Sequence, residues 1–158
     1  MVVKRSNSHV KQSYLVSHPK FTVTRTAHGT IREFVHYDGA TYREYTSETS
    51  LFGLPMLQII RGINPETGKR EVARGVVAIG QFAVGGIAIG QMAQGYIGIG
   101  QLATGRILAI GQLAVAPLAL GQMTLAVAAV GQMVFALAGI GQGGWVSLGF
   151  LMSSLTGG

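Results

Sequence analysis

The side chains best suited to chemistry lie early in the chain. His28 and His36 stand eight residues apart, with Glu33 and Asp38 close by. Imidazole nitrogens and carboxylate oxygens are the donors of a divalent-metal site, and the same groups can move protons. Their spacing is not a compact ligand motif, so they read as hairpin surface residues and no metal is assigned. Serines and acids share this segment, but nothing in their order marks a nucleophilic triad. The chain has no cysteine, which removes disulfides, thiolate nucleophiles and cysteine-bound metals. Gly98-Ile-Gly-Gln-Leu-Ala103 fits the loose dinucleotide pattern G-x-G-x-x-A. It is set aside, because its glycines belong to a repeat and no acid follows Glu71 to hold a ribose. An ice-binding threonine ladder is also set aside, since Thr104 and Thr124 occupy different repeat positions. No catalytic residue, cofactor or small-molecule substrate is implied, and the chain is expected not to be an enzyme.

The elements that would carry such residues divide sharply in composition. Of 158 residues, 11% are charged and 24 are glycine. All six acids lie between Glu33 and Glu71, and Arg106 is the only cation after Arg74. Residues 1–74 thus carry a net +5 and the remainder +1. The positive charge is diluted among acids, and only Lys4-Arg5 and Lys69-Arg70 are adjacent pairs. Nucleic acid is therefore not the expected partner. Met1 to Val16 hold Lys4, Arg5 and Lys11 with no apolar run of seven, which reads as a basic arm rather than a secretory signal. A cytoplasmic or membrane-associated location is favoured on that basis.

The uncharged half is a repeat. Gly-Gln recurs at Gly80-Gln81, Gly90-Gln91, Gly100-Gln101, Gly111-Gln112, Gly121-Gln122, Gly131-Gln132 and Gly141-Gln142. The step is ten residues except for one insertion near Ile107-Leu108. Inside each decad runs a five-residue unit: small, variable, large apolar, alanine, apolar. Ten residues at 100° each would leave successive glutamines 80° apart around a helix, and glycine every fifth residue would weaken it. Strands fit better. The third and fifth positions share one face and the fourth takes the other, with glycine at each corner for positive φ or close backbone approach. The expectation is all-β: a glycine-rich β-solenoid of five- or ten-residue repeats behind a small antiparallel segment. A circuit of ten residues is favoured over one of twenty, and would align the glutamines as a ladder of stacked amides. The fold alternative is a polytopic helical membrane protein, suggested by the uncharged stretch from Ile107 onward. Glutamine every ten residues argues against it.

Two likenesses bear on this. The repeat partly resembles the square circuits of pentapeptide-repeat proteins, whose central residue is also large and apolar, although their usual Asn/Asp and Ser/Thr positions are missing. Leu51-Phe-Gly-Leu-Pro-Met-Leu57, followed by Arg61-Gly62 and Ala73-Arg-Gly-Val-Val-Ala-Ile-Gly80, resembles a group of uncharacterised bacterial proteins. These carry a Phe-Gly-Leu-Pro segment ahead of tandem Gly-Ile-Ala-Ile-Gly repeats. The resemblance spans about residues 51–142 and implies architecture alone.

The division that follows is a basic arm and β-meander over 1–50 and a hairpin junction over 51–74. The repeat occupies 75–145, with a cap or tail over 146–158. Strands are expected at Phe21–Thr26, Ile31–His36 and Thr41–Tyr45, with turns at His28-Gly29 and Asp38-Gly39. Met56–Ile60 and Lys69–Ala73 flank a further turn at Asn64–Gly68. The meander is expected to cap the first circuits. Trp145, Phe150 and Leu151 are candidates for a C-terminal cap or a self-contact. Whether alanines or large residues point inward, the repeat presents an uncharged surface larger than a soluble monomer usually tolerates. The expected function is structural, with copies of the chain as partners in a filament or homo-oligomer. The alternative sets the same surface against membrane lipid.

Overall fold

In the computed structural model, which describes residues 14–146, every regular element is a strand. The basic arm's Lys4, Arg5 and Lys11, and the tail with Phe150 and Leu151, lie outside the described residues. Alternating Thr, Val and aromatic residues form β1 (Thr22–Thr26), β2 (Gly29–Val35) and β3 (Thr41–Ser47), an antiparallel meander as expected. Its first turn falls at Ala27-His28, and Gly29 is already inside β2. Leu51-Phe-Gly-Leu-Pro forms a small hairpin, β4 (Ser50–Leu51) and β5 (Leu54–Pro55). At its tip Phe52 and Gly53 both take positive φ, 54° and 77°.

The junction differs from a simple hairpin. The Asn64–Gly68 turn is present, closed by the Gly68 N–H donating to the Asn64 carbonyl at 2.8 Å. Its two flanks, however, do not form a ladder with each other. β6 (Leu57–Arg61) pairs antiparallel with β3, Tyr45 opposite Ile59, and parallel with β7 (Val72–Gly80), Leu57 opposite Val77. The physical reason is side-chain continuity. In this register Leu57 and Ile59 extend the outward row of Val77 and Ile79, whereas a tight hairpin would reverse it. One six-stranded sheet, β1-β2-β3-β6-β7-β8, therefore turns from antiparallel to parallel at β6.

β8 (Phe82–Val146) is strand throughout, and β7 pairs with its first residues at an offset of ten. Val72 faces Phe82, Ala73 faces Ala83, and Val77 faces Ile87, all parallel. The glycines carry that step through the repeat. A Cβ at Gly90 would overlap the Gly80 carbonyl oxygen, and the same holds for Gly100 on Gly90, Gly121 on Gly111 and Gly131 on Gly121. Gly111 sits on Gly100, which absorbs the inserted residue. Among the described residues none of the repeat glycines has positive φ. Of the two reasons sequence offered for glycine at the corners, close backbone approach is the operative one.

The interior is made of methyl groups. Ala78, Ala88, Ala103, Ala109 and Ala114 are completely buried, and both alanine rows of the decad join the same clusters. The buried clusters of the repeat are accordingly built from alanine, with Thr124 and Val134 the larger members. Where a larger residue enters, its opposite shrinks: a Cβ at Gly139 would lie 2.8 Å from Val134 Cγ1. Thr124 is the other enlarged position, and its hydroxyl donates to the Met133 carbonyl at 3.5 Å.

Candidate functional site

The residues that could do chemistry do not converge. His36 is buried, its Nε2 2.9 Å from the Ile63 carbonyl, between the edges of the Tyr14 and Phe34 rings. A carbonyl only accepts, so Nε2 carries the proton. His28 is exposed in the β1–β2 turn, and Glu33 pairs with Arg43 at 2.9 Å on the outer side of the meander. Asp38 accepts from the Ala40 backbone N–H, which lowers its pKa, and from the Tyr14 hydroxyl. Among the described residues no three His, Asp or Glu side chains gather as metal ligands.

The polar residues that do meet form a plug where the meander joins the repeat. Tyr42 is fully buried at the head of the first alanines. Its hydroxyl lies 3.1 Å from Glu44 Oε2 and 3.3 Å from Glu71 Oε2. Gln58 Nε2 donates to Glu44, and Gln58 Oε1 accepts from the Arg74 backbone N–H at 2.6 Å. Asn64 Nδ2 donates to Glu71, and Arg32 reaches Glu44 at 3.2 Å while stacking on Phe21. Burial, then the two carboxylates, push the Tyr42 hydroxyl far above its usual range. Sequence reasoning placed a cap here but missed this network. The clustering of Glu44, Gln58 and Glu71 at residues 44–71 was the only signal, and pairing them required the β3–β6–β7 register.

The remaining surface is built by the repeat. With alanine inside, the third and fifth positions of every unit point outward. Leu118 is 49% exposed, Leu125 56% and Ile140 76%. Two faces result. The aliphatic face carries Ile87, Ile89, Ile99, Ile110, Leu118 and Leu120, and continues the outward rows of β6. The opposite face carries Phe82, Met92, Met123 and Met133 beside a second row that changes along the chain. That row runs Val84, Gln94, Thr104, Val115, Leu125, Phe135, so it dries toward the C-terminal end. The late cation Arg106 stacks beside Tyr96, 5.6 Å from the ring.

Five of the repeat glutamines share one groove. Gln91, Gln101, Gln112, Gln122 and Gln132 line a shallow groove of about 750 Å³ together with the Met and Leu residues that follow them. The ten- and eleven-residue steps between them place the five along that groove. Among the described residues no hydrogen bond joins one amide to the next, and Gln81 Oε1 is buried without a partner. Trp145 belongs to the last described stretch of β8, and Phe150 and Leu151 fall outside it. A feature that sequence did not single out is Phe52, 95% exposed at the β4–β5 tip.

No helix among the described residues is long and apolar enough to cross a membrane. Compared with known proteins, the chain matches no family model, no curated protein and no solved structure.

Proposed function

We propose that the chain is a non-enzymatic structural protein. Its repeat would be a β-solenoid of ten-residue circuits that self-assembles through uncharged apolar faces. The observation that carries this reading is the inversion of the repeat, with alanine inside and Ile, Leu, Met and Phe outside. Such an exterior exceeds the few hundred Å² of contiguous apolar surface that monomers usually expose. Burying it against another copy gains roughly 25 cal/mol per Å². Further support comes from the parallel ten-residue register of β7 on β8 and the glycine columns that prolong it. The charged plug and the antiparallel meander block the N-terminal end of the strand ladder, which leaves the flanks as the contact surface.

The test is electron microscopy and sedimentation of detergent-free protein, with far-ultraviolet circular dichroism. Defined oligomers or filaments with a β spectrum are expected. A monodisperse monomer overturns assembly, and a strong helical minimum overturns the fold. Ile99→Lys places a cation on the aliphatic face and is expected to abolish assembly while the β spectrum survives. A second reading, contact with lipid, rests on a different observation. Both outer rows of the late circuits lack charge and the second face dries toward the C-terminal end. Flotation of the protein with vesicles, in place of self-association, would favour it.

A further inference from the structure

The aliphatic face carries shape information beyond its hydrophobicity. One of its two rows runs from Ile87 and Ile97 through Leu108 and Leu118 to Ala128 and Ala138, so bulk is lost toward the C-terminal end. The neighbouring row stays branched, ending in Leu120, Val130 and Ile140. The missing bulk leaves a trough of about 450 Å³ along Ala128 and Ala138, walled by those residues and Leu118.

We propose that this face is the contact between two copies of the chain, packed face to face with antiparallel axes about a two-fold near Leu108. The inference rests on the self-assembly reading and names its partner and geometry. In this arrangement Ile87 of one copy lies over the partner's Ala128, Ile97 meets the partner's Leu118, and Leu108 meets its own counterpart. Large residues fill the trough, as an isologous interface requires. A parallel pairing would set alanine over alanine and leave the trough empty.

Charge favours the same choice. Residues 1–74 carry a net +5, and antiparallel axes hold the two positive ends apart. The area is sufficient as well. Ile87, Ile89, Ile110, Leu118, Leu120, Val130 and Ile140 are each at least 36% exposed. Together they offer on the order of 600 Å² per copy, at the lower edge of the ~800 ± 200 Å² each partner gives to a standard stable interface. Two such faces stack at the ordinary sheet spacing of about 10 Å. Acyl chains would need no taper. The opposite face, broken by Gln94 and Thr104, is the poorer self-complement.

Because the chain has no cysteine, each single-cysteine variant of the full chain presents one thiol. Leu108→Cys, Ile87→Cys and Ala128→Cys would be treated with a short bis-maleimide linker, with sedimentation run in parallel. Leu108→Cys alone is expected to yield linked dimers. Ile87→Cys mixed with Ala128→Cys is expected to link several-fold more than either variant alone. Efficient linking of Ile87→Cys to itself means parallel axes and overturns the proposal. Oligomers with no linking from any of the three overturn this face while self-assembly stands. A monomer at all concentrations overturns self-assembly too, and a monomer that floats with phosphatidylcholine vesicles makes the face a lipid contact. Ile87→Ala with Ala128→Leu in one chain exchanges the bulk across the interface. It is expected to restore the dimer that Ala128→Leu alone weakens about tenfold or more, and failure of this rescue counts against the registry.

Discussion

The meander and the repeat share one sheet, yet they turn their large side chains in opposite directions. In β2 and β3, Phe34 and Tyr42 point inward, and with Phe21 they cover the first alanines. From β7 onward the large residues point outward and methyl groups fill the interior. The difference is geometric. A single antiparallel layer has open space above it for aromatic rings. The interior side of the repeat is instead filled by Ala, with Thr124 and Val134 as occasional larger members, and close-packed methyl groups leave no such space. The meander thus closes its own core, whereas the repeat leaves its apolar mass exposed.

The largest test of that contrast is Ala103→Leu, which forces three carbons into a methyl-sized space. It is expected to cost about 3 kcal/mol, read as a lowered thermal or denaturant midpoint. Leu102→Ala, one residue away but outward, is expected to cost under about 1 kcal/mol of folding stability. Equal costs would mean that the layers are not inverted. Next comes Gly90→Ala, whose Cβ meets the Gly80 carbonyl oxygen. About 2 kcal/mol is expected, because backbone on both circuits must shift. Gly39, at φ 83° with open space around it, is expected to tolerate alanine for about 1 kcal/mol of backbone strain.

An effect no larger than that at Gly90 is expected at the plug. Tyr42→Phe leaves Glu44 and Glu71 without their shared donor and should cost about 1–2 kcal/mol. It also carries a pH signature. The Tyr42 pKa is raised in the folded chain, so the folded state holds its proton where the unfolded state releases it. That stability is complete below the ordinary tyrosine range near pH 10 and is lost as pH rises above it. Alkaline unfolding should move upward in Tyr42→Phe relative to its own neutral stability. The smallest effect is Arg43→Ala, which removes a surface pair with Glu33 and is expected to cost under about 1 kcal/mol.

Much of the fold was legible because it is periodic. Glycine-glutamine every ten residues predicted strands, and the step between β7 and β8 is indeed ten. The alternation in Phe21–Thr26 and Thr41–Tyr45 predicted the meander. The junction was less legible: Lys69–Ala73 looked like the partner of Met56–Ile60, yet β6 pairs with residues twenty further on. Local turn residues mark where a chain bends, not which strand it then meets. The histidine and acid set was read as surface; His28 and Glu33 lie there, but His36 is buried against Ile63. A buried position inside a polar-looking hairpin has no local signature when the covering segment, Tyr14 and Ile63, lies far away in sequence.

The sequence by itself determined the all-β character, the concentration of charge at one end, the ten-residue step and the alignment of the glutamines. These are properties of spacing, and spacing survives any choice of which face is inside. Tertiary structure alone decided that choice. Alternation assigns alanines and large apolar residues to opposite faces with no preference between them, and burial of large residues would be the ordinary guess. In the folded chain the alanine side is the buried one and the Ile, Leu and Met side is exposed. Close packing of methyl groups on that side is what leaves the large apolar side chains of the repeat facing outward.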